Sequence, residues 1–192
     1  MPQVAKEQTS ATSSDIIEAL VDAGVPTVNS ARILAAQSAV ETAGWQAMWN
    51  WNVGNITAGS PSTQSWVQQA TTGPAAPLQF LAFDSLQDGA NYFVAFLQKR
   101  GVLQCANVGN LDGYVDALRR CNYAGPGADY ARYRDGMAAW LKKLGGALPV
   151  PGTGKALAYG ALLVGGGILA LGGLAWAADH GYFTNSRRGV YE

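Results

Sequence analysis

The chain has 192 residues and a mass of 20.1 kDa, room for one compact domain of about 100–150 residues plus an appendage. Hydrophobic residues make up 48% and charged residues 14%, which excludes a disordered chain. Lys+Arg and Asp+Glu both number 13, and no Lys or Arg lies between Ile33 and Gln98, so nucleic acid is excluded as a partner. Two cysteines and one histidine, His180, are too few for a disulfide framework or a four-ligand zinc site; neither a metal nor a cofactor is expected.

Residues 1–14 are polar, lack the apolar core of a secretion signal, and read as a flexible N-terminal arm. Asp15 with Glu18 three residues on resembles a capping box, opening a short helix that stops at Gly24 and Pro26. A second helix starts near Asn29, with Ile33, Ala36 and Val40 at helical spacing and Gly44 at its end. Residues 45–76, rich in Trp, Asn, Gly, Ser, Thr and Pro, read as loops, and Leu78 to Phe83 as a short strand. Ser85, with Asp88 three residues on, opens a helix striped by Leu86, Ala90, Phe93, Val94 and Leu97 and closed by Gly101. Two more helices are expected, from about Leu111 to Arg120 and from about Asp129 to Leu144. Residues 15–144 thus form a mainly α domain with a small loop-and-hairpin insert. Cys105 and Cys121 flank the Leu111 helix; they fit either a disulfide worth about 3 kcal/mol across a loop of about 15 residues or two buried thiols.

Residues 145–155, GGALPVPGTGK, read as a Gly/Pro linker. Residues 156–178 carry no charge over 23 positions, with Lys155 and Asp179 at the borders. About 20 apolar residues span a bilayer core, so this stretch is expected to be a C-terminal transmembrane helix. Its six glycines are costly in a water-soluble helix but allow close approach in lipid, where self-association is open to it. A polar tail, residues 179–192, follows.

The chemistry concentrates between Ile33 and Gly59. Glu41 is the sole acid there, and 42 residues without another separate it from Asp84. It falls at a helix C-terminus, where the dipole disfavours a carboxylate, and Trp45, Trp49 and Trp51 follow, whose rings exclude water. Both effects raise a carboxyl pKa, and a protonated carboxyl is what cleavage of a glycosidic bond needs. Asn50, Asn52 and Asn55 add amides suited to sugar hydroxyl and N-acetyl groups. The plainer alternatives are a solvated glutamate and core-packed indoles.

AGVPTVNSARILAAQSAVETAGW, residues 23–45, resembles the opening of bacterial and phage peptidoglycan glycosidases of the lysozyme-like superfamily, in which an Ala- and Gln-rich helix ends on the catalytic Glu. Asn50-Trp51-Asn52-Val53-Gly54-Asn55-Ile56-Thr57 is similar to their Asn-rich turn. LQFLAFDSLQDGANYFVAFLQKR, residues 78–100, resembles their Phe-x-x-(Phe/Tyr)-Asp-Ser strand and helix. Asn122-Tyr123-Ala124 with Tyr130-Ala131 resembles a block of the flagellar-type glucosaminidases. The resemblance implies an α+β lysozyme-like domain with Glu41 as general acid and Tyr123 positioning the N-acetyl group or stabilising the transition state. It implies a sugar site lined by Asn55, with Trp45, Trp49, Trp51, Asn52 and Tyr130 as further candidates. The chain departs from it in Glu-Thr-Ala-Gly-Trp, one residue longer than the family spacing, and in an insert over residues 56–80 without an acid.

Asp84 and Asp88 read as helix-cap residues. Inverting and retaining hydrolases need a second carboxylate; lytic transglycosylases do not, because one Glu protonates the leaving oxygen and then accepts the muramic 6-hydroxyl proton. A substrate N-acetyl nucleophile is a further single-acid route. Peptidoglycan lies outside the cytoplasm, so the expectation is a virion-borne enzyme, membrane-tethered, acting in the host periplasm and cell wall. Three alternatives stay open: a bacterial envelope enzyme exported without a recognisable signal, an inactive lysozyme-like module that binds the wall, and a holin- or pore-like protein.

Overall fold

A computed structural model describes residues 4–58, 65–68, 78–125 and 127–145. Among these residues six helices and one antiparallel strand pair follow in the order α1 (Ser13–Asp22), α2 (Val28–Glu41), β1 (Ser65–Gln68), β2 (Leu78–Leu81), α3 (Leu86–Lys99), α4 (Leu103–Asn107), α5 (Leu111–Arg120) and α6 (Tyr130–Lys143). The strands pair antiparallel, Ser65 opposite Leu81 and Gln68 opposite Leu78.

Helix α2 is the axis of the domain. Ala31, Leu34, Ala35, Ala36 and Ala39 have no exposed surface, and α1, α4 and α6 pack around them. The helix is buried nearly all round, its polar Ser30, Gln37 and Ser38 included, and small alanines let its neighbours approach closely. Phe93, Leu97, Tyr114, Leu118 and Met137 bring α3, α5 and α6 onto the same core.

The caps explain the helix boundaries. Ser85 and Asp88 cap α3, with the Ser85 hydroxyl 2.6 Å from the Asp88 carboxylate. Asn110 caps α5 and Asp129 caps α6. α1 starts at Ser13 because Thr12 and Asp15 make the capping box: Thr12 N–H and Oγ1 each donate to Asp15 at 2.7 Å. The Asp15–Glu18 box expected from the sequence is thereby corrected.

Residues 4–12 depart from the expected flexible arm. Gln8 bridges Trp49 antiparallel. Thr9 N–H donates to the Met48 carbonyl at 3.0 Å and Asn50 N–H to the Glu7 carbonyl at 2.8 Å. The Asn50 side chain donates to the Ala5 carbonyl at 2.8 Å. Backbone groups along this segment find partners in the 48–51 turn, which is what holds it down.

The expected transmembrane helix is a correction to the fold class. Among the described residues no helix is long and apolar enough to cross a membrane; the longest have 14 residues, about 21 Å against the roughly 30 Å of a bilayer core. The stretch 156–178, the tail 179–192 and linker residues 146–155 lie outside the described residues. Over the described residues the fold class is therefore a mainly helical α+β domain.

Gly89, in the first turns of α3, backs onto the 48–58 turn. A Cβ there would stand 2.0 Å from the Trp51 carbonyl oxygen, a backbone atom that cannot rotate away. Overpacking of this kind costs about 1–3 kcal/mol, and Gly89→Ala is expected to lower Tm by roughly 3–10 °C in a thermal scan by circular dichroism. An unchanged Tm would show that α3 and the turn are not packed as described.

Candidate active site

Glu41 is the last residue of α2, half-buried, at the point where the chain leaves the core. Thr42 ends the helix: its hydroxyl donates to the Ser38 carbonyl at 2.7 Å and accepts Trp45 N–H at 3.1 Å. The next residues are conformationally unusual. Ala43, Trp45, Asn50, Trp51 and Asn55 all have positive φ, a region that asparagine tolerates and tryptophan rarely enters. Such a backbone persists where its surroundings over-determine it. Here the buried Asn52 amide donates to the Ile56 and Leu81 carbonyls, both at 2.9 Å, and its oxygen accepts Ile56 N–H at 2.8 Å. Asn50 is held by residues 5–7 in the same way.

That turn folds back over the end of α2. Asn55 Nδ2 reaches the Glu41 backbone carbonyl at 3.4 Å, one of the carbonyls a helix end leaves without an internal partner. Tyr123 Oη donates to the Gly54 carbonyl at 3.0 Å, bringing the segment after α5 to the same place. Tyr133, from α6, donates its hydroxyl to Glu41 Oε1 at 2.8 Å. One turn below Glu41, Gln37 accepts the hydroxyl of Tyr114, and both are fully buried. Gln37 Nε2 is buried without a hydrogen-bond partner.

Burial pushes the Tyr133 phenol well above its ordinary pKa, and the Glu41 charge beside it pushes it further. Tyr114 is raised well above the ordinary value too, first by burial and then by the neighbouring Tyr123, Cys121 and Glu41. An ionised phenolate would bring a second negative charge to Glu41 in a poorly hydrated place. Both tyrosines are therefore neutral donors, Tyr133 to the Glu41 carboxyl and Tyr114 to the Gln37 amide oxygen.

The residues expected to line a sugar site divide into two groups. Glu41, Asn55, Tyr123 and, through Tyr133, Tyr130 come together. Tyr130 accepts Ala124 N–H at 3.1 Å, donates to the Leu118 carbonyl at 3.4 Å, and its ring lies 6.2 Å from that of Tyr133. It ties the 121–129 loop to α5 and supports Tyr133.

Trp45 and Asn52 are instead structural. Trp45 is 7% exposed, with Nε1 donating to Ser38 Oγ at 3.0 Å and its ring 5.5 Å from Trp140. Trp49 packs on Phe80 and Ala82 under the Lys6 ammonium, and Trp51 packs on the main core, both half-buried. Tyr133, Tyr114 and Gln37 escaped the sequence reading. The available signals were spacings: Tyr130 and Tyr133 at i, i+3, Gln37 and Glu41 at i, i+4.

Asp88 is engaged in the α3 cap and Asp84 is exposed on the same turn. Among the described residues no group of three His, Cys, Asp or Glu is arranged to hold a metal. Cys105 and Cys121 are free thiols, both half-buried.

A search of solved structures aligns this fold with a glycoside hydrolase domain, that of Salmonella typhimurium FlgJ. The TM-score is 0.50 at 19% identity, over 70% of this chain and 89% of that one. At that identity the likeness is one of fold. No protein-family model and no curated protein matches the sequence.

Proposed function

We propose that the protein is a peptidoglycan glycosidase that cuts the glycan strand between N-acetylmuramic acid and N-acetylglucosamine, with Glu41 as general acid. The observation that carries this reading is the Tyr133 hydroxyl on Glu41 Oε1, at a helix end crossed by the Asn55 turn and closed by Tyr123. A buried neutral phenol on one carboxyl oxygen fixes the plane of the acid, which is how a proton donor is aimed at a glycosidic oxygen. The fold shared with a glycoside hydrolase domain supports the same class of reaction.

The mechanism in this reading uses one acid. Glu41 protonates the leaving oxygen as the bond to the muramic C1 breaks with oxocarbenium character. The muramic 6-hydroxyl then attacks C1 and returns its proton to Glu41, closing a 1,6-anhydro ring. Supporting it, residues 42–83 contain no Asp or Glu. No conformation of the insert can bring the second carboxylate that an inverting or retaining hydrolase places about 5–9.5 Å from its acid. The digest is expected to carry 1,6-anhydromuramic ends. Mass spectrometry of the released muropeptides checks this: a new muramic end heavier by one water would overturn the transglycosylase route, and new reducing glucosamine ends would indicate a glucosaminidase.

Clearing of peptidoglycan in a zymogram by the wild type, and not by Glu41→Gln, tests the activity itself. A wall-binding module without catalysis would give retention on sacculi and no clearing. Delivery to the wall as virion cargo belongs to the same proposal, and proteomics of purified virions tests it.

A further inference from the structure

Gln37 is a fully buried amide on α2, one turn before Glu41. Burial strips an amide of water, and the cost is offset only where its polar atoms find partners. Half of this amide does. Its oxygen accepts the Tyr114 hydroxyl from α5, and burial keeps that phenol protonated. Its nitrogen meets no acceptor in the surrounding protein. The anchored oxygen fixes the plane of the group, so its two N–H donors are held in place and unused.

Packing does not call for such a pair. Methionine against phenylalanine would fill much the same space, and replacing both hydrogen-bonding partners by apolar groups of like shape is nearly neutral or stabilising. Helix geometry names an acceptor. Glu41 stands at i+4 from Gln37, the spacing at which helical side chains meet, and a helical side chain leans back over the turn before its own. Glu41 therefore leans toward Gln37, while its Oε1 takes the Tyr133 hydroxyl. The titratable groups that bear on this place are phenols and thiols: Tyr133 from α6, Tyr114 from α5, Tyr123 and Cys121 after it, and Cys105 from α4. The residues that α1 buries are all apolar.

We propose that Gln37 is a positioning residue for Glu41: anchored by Tyr114, its amide donates to the carboxylate that forms as the proton leaves. The proposal rests on the reading of Glu41 as the general acid. An ionised carboxylate takes stronger hydrogen bonds than a neutral acid. A donor that answers the ionised form therefore stabilises the transition state more than the ground state.

The first test is Gln37→Met with Tyr114→Phe in the full chain. Because both partners become apolar, Tm is expected to stay within a few degrees of wild type. On solubilised glycan strands kcat is expected to fall about 10-fold, and the alkaline limb of kcat/KM to move up by about 1 pH unit. The sign follows from the chemistry: a carboxyl that loses a donor to its charged form keeps its proton to higher pH. Tyr114→Phe alone retains the amide and is expected to retain the wild-type limb. A double variant whose limb stays in place, or a single variant whose limb moves as far, overturns the assignment.

Should the double variant fail to fold, a measurement on the wild-type chain carries the test. In a pH titration by NMR, one Gln37 side-chain amide proton is expected to move downfield as Glu41 ionises, and to stay in place in Glu41→Gln. An amide proton that ignores the titration is held by another acceptor, a buried water included, and overturns the proposal. Turnover reports separately. An amide that follows Glu41 in a wild type that releases no muropeptide would overturn the glycosidase reading and leave the Gln37–Glu41 pairing standing.

Discussion

Glu41→Gln is expected to lower peptidoglycan turnover by two to four orders of magnitude, the usual worth of a general acid, while leaving the fold intact. The side chains have nearly the same shape, and the amide oxygen of Gln still accepts the Tyr133 hydroxyl that now stands 2.8 Å from Oε1. What is lost is the proton that can be given to a glycosidic oxygen. Turnover by the purified variant, followed by muropeptide release beside its Tm, separates chemistry from stability. A rate above a third of wild type would remove Glu41 from the mechanism.

Tyr133→Phe deletes one oxygen from the same pair and should act through Glu41. The expected result is a kcat about 10-fold lower with KM little changed, since Tyr133 is buried on α6 and orients the acid from behind. The lost hydrogen bond is worth about 0.5–1.5 kcal/mol of stability, a Tm fall of a few degrees. The pair of variants is the sharper measurement. Residues that act as a unit are non-additive, so Tyr133→Phe added to Glu41→Gln should lower the residual rate no further. Independent multiplication of the two losses would assign Tyr133 a purely structural part.

The sequence carries the elements whose signals are local. Ser85 with Asp88 marks the start of α3, Gly101 marks its end, and the span of α5 matches expectation. Position of Glu41 at a helix end follows from the Ala-rich run before it and Gly44 after it. What the sequence conceals depends on partners far along the chain. β1 is four residues of a polar segment, made a strand by pairing with β2. α4 has five residues and no side-chain cap. Trp45 looked like sugar-binding equipment, yet the positive-φ turn after α2 rotates its indole inward onto Ser38 and Trp140. Tyr130 and Tyr133 look alike in the sequence; only the packing of α6 on α2 decides which of them reaches the carboxyl.

The N-terminal segment also bears on where this domain begins. By composition, everything before α1 looks like a dispensable tail. Yet the Ala5 and Glu7 carbonyls accept from Asn50, which is 8% exposed, and the Thr9 hydroxyl accepts Trp51 N–H at 3.2 Å. A chain cut at the first helical residue would leave those donors in place and take away their acceptors. Asn50 and Trp51 are two of the positive-φ residues in the turn that bends back over Glu41. Trimming a stretch more than 30 residues upstream of the acid would therefore unclamp the very bend that shapes its surroundings. A unit trimmed past residue 5 is therefore expected to lose the Ala5 acceptor of the Asn50 amide.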